Sequence, residues 1–254
     1  MRNYFTLDGV DCRTMGVYIS GSGTYSAPAR RYNVVQVPGR NGDLVVSDNS
    51  FENATIKYPC FICDSFDTNI ANFRSFLMSR NGYVSLTDSY HTSERRQVLF
   101  TGSFEPELNG KLDVASFELE FSAKPQRWLL SGDTKSTISS GGSPLRLDNP
   151  TRFPAKPTFY VYGAGQFDYT FPSSGSSGYT TNTIKILTAP PNNAPTIIDA
   201  ENMSVYAILS GGIISNRASY VQMSDVHDIP ASGYYTISNV TVTKVEIYPR
   251  WWTL

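Results

Sequence analysis

The stretch "KLDVASFELEFSAK", residues 111–124, has the clearest strand pattern in this chain. From Phe117 to Ser122, apolar and polar residues alternate without a break. Because successive side chains of a β-strand point to opposite faces, this alternation predicts a strand with one buried face and one solvated face. Comparable short runs, bounded by turn residues, precede it: "YFTLDG", "YNVVQV", "DLVV", "ATIKYPCFI", "YVSLTD" and "RRQVLFTGSF". In the fourth of these, Pro59 predicts an edge strand or the end of a strand.

One segment has helical rather than strand periodicity. In "SFDTNIANFRSFLMSRNG", residues 65–82, apolar residues recur at three- and four-residue intervals. This spacing predicts a helix over about residues 67–80, with Asp67 or Thr68 capping its start and Gly82 in a left-handed stop. Its apolar stripe needs a partner surface, so the helix is expected to lie across a sheet.

The composition changes in the middle of the chain. Residues 131–157 are rich in Ser, Thr, Gly and Pro, which is typical of a domain boundary. Beyond them, short strand-like runs follow at intervals of roughly 8–15 residues, which indicates an antiparallel sandwich. The sequence therefore predicts a mainly β protein with two domains. Residues 1–132 form an N-terminal β-sheet or sandwich with one α-helix, and residues 133–254 form a C-terminal β-sandwich.

The charge balance argues against two classes of partner. The 254 residues carry a formal net charge of −1, and only 17% are charged, against a typical share of roughly 25%. No bulk field attracts nucleic acid or a membrane. No apolar run approaches the roughly 20 residues of a membrane span, and the N-terminal residues lack the apolar region of a signal peptide. Low charge with 13% aromatic residues indicates a folded chain whose surface is partly buried by partners.

Residues that could carry chemistry do not form a convincing site. Cys60 and Cys63 make a C-x-x-C motif, but a zinc site needs a second pair, so small buried side chains are the favoured interpretation. His91 near Asp88 lacks a nucleophile-elbow sequence, which favours a histidine in a surface loop. His227 lies between aspartates that could hold a cation, but they lack calcium-loop spacing. We therefore predict no enzyme, and no catalytic, metal or cofactor site.

Two other segments are candidates for contact. In "VPGRNGDLVV", residues 37–46, a six-residue insert separates two β-branched runs, although a two-residue turn would have reversed the chain. The loop either contacts another molecule or merely joins two strands. In "YPRWWTL", residues 248–254, the adjacent Trp251 and Trp252 face opposite ways if the chain is extended. Either one lies in the core and one at the surface, or both are covered at a domain or subunit interface.

Four pieces in order resemble the distal tail protein (Dit) family of siphophages: "VPGRNGDL", "FELEFSAKPQRWLLSG", "NPTRFPAKPTFYVYGAG" and "VEIYPRWWTL". The resemblance implies a homohexameric ring built by the N-terminal domains, with a galectin-like C-terminal sandwich projecting outward. It implies a virion protein of the tail tip, synthesised in the host bacterial cytoplasm. Its partners would be the tail tube protein, the tail-associated lysin or tail-tip hub protein, and receptor-binding or other baseplate proteins.

The resemblance also suggests where subunits or partners touch. Gly39 and Gly42 allow the loop to fold tightly against a neighbour, while Arg40 and Asp43 offer opposite charges to adjacent subunits. The full set of predicted interface residues is Pro38, Gly39, Arg40, Asn41, Gly42, Asp43, Arg127, Trp128, Arg250, Trp251 and Trp252.

A second function class remains open, a carbohydrate-binding β-sandwich module or adhesin. Sugar-binding galectins use a histidine, an asparagine and an arginine on alternate strand positions, with a tryptophan on which the sugar stacks. The second domain has His227 as its one histidine, and its tryptophans lie at the C-terminal end. No galectin-type sugar site is therefore visible in the sequence.

Overall fold

A computed structural model describes residues 2–23, 25–63, 65–109, 114–172, 178–223 and 228–254. Within these residues the chain is mainly β with one α-helix, which confirms the predicted fold class. It divides into two compact units, Met1–Arg127 with Leu254, and Trp128–Thr253. Among the described residues, no helix is both long enough and apolar enough to cross a membrane.

Unit 1 is built on one antiparallel sheet whose order is β2-β1-β7-β8-β10-β6-β3, with β9 beside β10. A separate two-stranded sheet contains β4 and β5. The elements are β1 (Phe5–Leu7), β2 (Val10–Asp11), β3 (Val17–Ile19), β4 (Arg30–Val35), β5 (Leu44–Phe51), β6 (Ala54–Cys63), α1 (Phe66–Met78), β7 (Val84–Asp88), β8 (Glu94–Phe100), β9 (Glu107–Asn109) and β10 (Val114–Leu129).

The alternating run from Phe117 to Ser122 lies on β10, between β8 and β6 in this sheet. Phe117, Leu119 and Phe121 are buried, as the pattern predicts. Helix α1 packs against the same core through Phe73, which has no exposed surface and whose ring centroid lies 5.8 Å from that of Phe117. The predicted helix therefore covers the apolar face of a sheet, as expected.

The ends of α1 differ from the prediction. Neither Asp67 nor Thr68 caps the helix, because both lie inside its first turn. The residue before the helix is Ser65, whose backbone is left-handed with φ +42° and whose side chain makes no capping hydrogen bond. At the other end, the Arg80 guanidinium donates to the Phe76 carbonyl at 2.9 Å and so satisfies a helix-end carbonyl.

Pro59 neither ends a strand nor lies on an edge strand, so that prediction was wrong. It sits inside β6, which pairs with β10 on one side and β3 on the other. The Pro59 carbonyl accepts from the Ser20 backbone N–H at 2.8 Å, on the β3 side. Since a strand residue directs its nitrogen and its carbonyl to the same side, the missing N–H faces away from β10 and costs that ladder no hydrogen bond.

The cysteines are all free, and two of them are buried. Burial raises the pKa of the Cys12 thiol to about 12, and it also raises the pKa of Cys60. Cys63, three positions along β6, is only half-buried and accepts a hydrogen bond from the Arg2 guanidinium at 3.0 Å. Among the described residues, no group of three or more His, Cys, Asp or Glu side chains could hold a metal ion.

Unit 2 contains two antiparallel sheets, ordered β11-β21-β13-β16-β17-β18 and β12-β20-β14-β15-β19. Both sheets contribute to one hydrophobic core, where the rings of Phe159 and Tyr235 lie 6.1 Å apart, so the unit is a β-sandwich. The strands of these two sheets are β11 (Ser136–Ser139), β12 (Leu145–Asp148), β13 (Thr158–Tyr162), β14 (Gly165–Pro172), β15 (Tyr179–Ile186), β16 (Thr196–Asp199), β17 (Ser204–Ile208), β18 (Ile214–Asn216), β19 (Val221–Gln222), β20 (Tyr234–Ser238) and β21 (Lys244–Tyr248). The short β22 (Trp252–Thr253) belongs to neither sheet.

We expect Phe73→Ala to destabilise unit 1 by about 3–5 kcal/mol, because it removes a fully buried ring and leaves a cavity between helix and sheet. Chemical denaturation followed by circular dichroism measures this change. Arg74→Ala is the matched control, since Arg74 is exposed on the same helix. A loss below about 1 kcal/mol for Phe73→Ala would contradict the packing described for α1.

We also expect Cys12 and Cys60 to resist a thiol-specific disulfide reagent at pH 8 in the folded protein. Their raised pKa values keep the thiolate fraction of both side chains very small at pH 8, and burial limits access. One thiol at most, that of Cys63, should react quickly before denaturant is added, and all three should react afterwards. Rapid release of two or more equivalents from the folded chain would overturn this prediction.

Candidate assembly surface

Strands β4 and β5 form a hairpin that is not part of the main sheet of unit 1. Their register pairs Val35 with Leu44 and Val34 with Val45, and it shifts at a bulge between Arg30 and Tyr32. We call β4, β5 and the loop between them the exposed hairpin. Every residue from 31 to 49 is exposed to solvent. An isolated two-stranded ribbon is only marginally stable in water, so this hairpin lacks the support that a packed face would give it.

The loop of the exposed hairpin begins with a tight turn. The Val37 carbonyl accepts from the Arg40 backbone N–H at 3.2 Å, with Pro38 and Gly39 at the two central positions. Gly39 has φ +80°, which is the conformation that a type II turn requires after proline. Gly42 has φ +82°, so both glycines of the loop use backbone conformations that other residues rarely adopt.

The apolar content of the exposed hairpin is unusual for a surface. Val45 is 60% exposed, which is typical of a charged side chain rather than of a valine. Large apolar side chains stand on both strands and on the loop: Tyr32, Val34, Val35, Val37, Leu44, Val45 and Val46. Contiguous exposed apolar side chains are typical of surfaces that contact a protein, a membrane or a ligand, so the exposed hairpin is a candidate contact surface.

Charged residues occur at both ends of the exposed hairpin. Arg40 and Asp43 lie in its loop, and both are exposed. At its base, a concavity of about 760 Å³ is lined by residues that include Arg30, Arg31 and Asp48. An apolar ribbon with charged ends can bury its centre against a neighbour while charges fix the register of the contact.

Two of the predicted interface residues are not exposed: Arg127, which ends the first segment of unit 1, and Trp128, the first residue of unit 2. Arg127 donates to the Ser26 carbonyl at 2.8 Å and lies 3.8 Å from a Glu94 carboxylate oxygen. Burial lowers the pKa of the Arg127 guanidinium, and the nearby charge of Arg96 lowers it further. The Trp128 side chain is buried.

The C-terminal residues Arg250, Trp251 and Trp252 have several contacts inside unit 2. Trp251 is buried in the sandwich core, and its carbonyl accepts from the Leu129 backbone N–H at 2.9 Å. The Trp252 ring stacks on Phe153 with centroids 4.4 Å apart, and its indole N–H donates to a backbone carbonyl at 2.8 Å. Trp251 is therefore in the core, and Trp252 is half-buried against Phe153.

Arg250 holds this C-terminal segment in place. Its backbone is left-handed, with φ +58°. Its guanidinium donates to the Thr158 hydroxyl at 3.2 Å and lies 3.7 Å from an Asp199 carboxylate oxygen. Its backbone N–H donates to the Gly132 carbonyl at 2.9 Å, which ties the end of the chain to the start of unit 2.

His91 belongs to a buried polar cluster rather than to a cleft. Its Nδ1 atom lies 3.2 Å from an Asp88 carboxylate oxygen, and Asp88 also accepts from the Tyr58 hydroxyl at 2.6 Å. The backbone N–H groups of Tyr90 and His91 donate to the same carboxylate, which fixes the loop after β7. The cluster has a clear structural role in shaping that loop. The predicted cation candidate around His227 lies outside the described residues.

Three solved structures of phage proteins share this fold. The crystal structure of the Dit protein of phage SPP1, described as a paradigm of the hub adsorption apparatus in phages that infect Gram-positive hosts, matches with TM-score 0.67 at 12% identity over 100% of both chains. Two structures of the phage P2 baseplate in its activated conformation, with Ca and with Sr, match at 12% identity with TM-scores of 0.58 and 0.57. These two matches cover 97% and 96% of this chain, and the same percentages of the matched chains.

No protein-family model and no curated protein sequence matches the chain. At 12% identity, structural similarity establishes a common fold and nothing finer. From its N-terminal sheet to its C-terminal sandwich, the chain has the fold found in these phage tail and baseplate proteins.

Proposed function

We propose that this chain is a structural protein of a phage tail tip, a distal tail protein whose copies form a hexameric ring between the tail tube and the tail-tip hub. The observation that carries the proposal is the match to the SPP1 Dit protein over the whole of both chains. A shared sandwich alone would support only a common module. A match that runs through both units in the same order supports a common role.

The exposed hairpin supplies a physical reason for assembly. Its valines, Leu44 and Tyr32 gain the free energy of leaving water only when another molecule covers them, because unit 1 does not. In a closed ring the contact is heterologous, so the hairpin of one subunit packs against a different surface of the next. Arg40 and Asp43 at the loop then meet charges of the neighbouring subunit. We assign the interface to residues 38–43 and to the apolar strands beside them.

The other predicted interface residues have a different part in this proposal. In it, these residues stabilise the chain rather than contact a neighbour, because contacts within the chain already hold them: Arg127, Trp128, Arg250, Trp251 and Trp252. The ring would bind the tail tube protein on one side and the tail-associated lysin or hub protein on the other, with receptor-binding proteins at its rim. Several identical sites on one ring strengthen each such attachment through avidity.

Negative-stain electron microscopy with light-scattering mass tests the assembly. We expect six-fold rings, single or stacked, built from the 28.1 kDa chain. Val45→Lys should abolish them, because it places a charge in the apolar centre of the exposed hairpin. Tyr179→Lys is the control, since Tyr179 is exposed to a similar degree, 64%, on unit 2. A folded monomer at every concentration, or rings that tolerate Val45→Lys but not the control, would contradict the proposal.

Arg40→Ala tests the loop separately from the apolar strands. We expect it to raise the concentration at which half of the protein is assembled by about tenfold, equivalent to about 1.4 kcal/mol, while the monomer stays folded. Analytical ultracentrifugation over a concentration series measures the change. Arg74→Ala on α1 removes the same charge from an exposed site outside the hairpin and should have no effect. Unchanged assembly of Arg40→Ala would remove this residue from the interface.

A further inference from the structure

A second apolar surface lies on unit 2, at one end of its six-stranded sheet. Strand β18, Ile214–Asn216, is the last strand in the order of that sheet and pairs only with β17 among the described strands. Ile214 is 71% exposed. Exposed apolar neighbours surround it on the same hairpin and on the turn before β17: Met203, Ile208 and Ile213.

The sequence of this edge lacks the usual protection. Between Glu201 and Arg217 there is no charged residue and no proline. Natural proteins normally protect an exposed sheet edge with lysine, proline, a bulge or an inward-pointing charge, because an unprotected edge pairs with other strands. The shortness of β18 limits unwanted pairing, but its lack of charged residues and proline favours addition of a strand.

The backbone of β18 is oriented to accept such a strand. The Leu209 N–H donates to the Ile213 carbonyl at 2.8 Å, and the Arg217 N–H donates to the Val205 carbonyl at 2.9 Å. Residues 213 and 217 therefore direct their polar backbone groups toward β17. Since these groups alternate in direction along an antiparallel strand, Ile214 and Asn216 direct theirs away from β17, at the free edge.

An apolar groove lies directly beside this edge. Its volume is about 640 Å³, and its lining residues include Tyr206, Ile208, Ile214 and Asn216, whose side chains share the outer face of the sheet. A strand added beside β18 would place every second side chain on that same face. Apolar side chains at those positions would reach the groove.

We propose that the β18 edge binds an extended segment of another protein, which adds to the six-stranded sheet as a seventh strand. Main-chain hydrogen bonds to Ile214 and Asn216 provide affinity, and apolar side chains in the groove provide selectivity. The segment that fits is uncharged, with apolar residues at every second position. This inference does not depend on ring formation, because it rests on unit 2 alone.

A second copy of the chain fits the edge less well than a foreign segment. Two β18 strands related by a two-fold axis at Ser215 would place Ile214 of one copy opposite Asn216 of the other. That pairing sets an amide side chain opposite the apolar Ile214 and an isoleucine opposite the polar Asn216, so polar and apolar side chains are mismatched at both positions. The groove therefore favours a different sequence.

The test uses an array of uncharged heptapeptides in which apolar residues alternate with Ser or Thr, probed with the full chain. Scrambled peptides of the same composition, in which the alternation is lost, are the controls on the array. We expect alternating peptides to bind at least tenfold more tightly than scrambled ones. Ile214→Lys should reduce that binding at least tenfold, while Tyr179→Lys on the other sheet of the sandwich should leave it unchanged.

A second variant and a second measurement sharpen the test. Ile214→Pro removes one N–H that faces the free edge, and it leaves the hydrogen bonds between β18 and β17 intact. This variant should also weaken peptide binding. Hydrogen exchange with the best peptide should slow at the amides of residues 214 and 216. Absence of peptide binding, or binding that survives Ile214→Lys, would overturn the proposal. A dimer in light scattering that Ile214→Lys dissolves would also overturn it, by showing a second copy at the edge.

Discussion

The alternation along β10 is the constraint on which the structure of unit 1 depends. From Ala115 to Ala123, every second side chain of this strand is apolar and buried, and each needs cover on the same face of the sheet. Helix α1 provides that cover, and its Phe73 packs against rings from several strands, among them Phe5 and Phe117. Because one helix covers one face, the strands of the main sheet keep the in–out pattern that the sequence shows. The exposed hairpin falls outside this arrangement, which leaves its valines without cover.

The sequence patterns predicted which segments form strands and a helix better than they predicted which of those segments are buried. The strand alternation and the helical spacing depend on neighbouring residues, so they could be read directly, and both are present. Runs such as "YNVVQV" and "DLVV" have the composition of buried strands. Nothing within them shows that they form a ribbon outside the main sheet. Exposure depends on which other segments reach a strand, and that information is spread over the whole chain.

The same distinction explains the predicted interface residues. The loop at 38–43 could be found because its length and glycines exceed what a turn needs, and the structure places it in solvent. Trp128 and Trp251 attracted attention as large aromatic side chains, but such side chains serve cores and interfaces alike. Their burial depends on contacts between the beginning and the end of unit 2, such as that between Leu129 and Trp251. The β18 edge was missed, although an uncharged stretch from residue 202 to 216 was a visible signal.

Two uncovered apolar surfaces on two separate units have a common physical meaning. A chain of low charge cannot keep such surfaces in water without a risk of nonspecific association, so selection retains them only where a partner covers them. The exposed hairpin offers side chains from both of its faces, which suits a neighbour that surrounds it. The β18 edge offers backbone groups along one side, which suits a single added strand. The difference in chemistry between the two surfaces is the reason that we propose two different occupants, a neighbouring subunit for the exposed hairpin and an extended segment for the β18 edge.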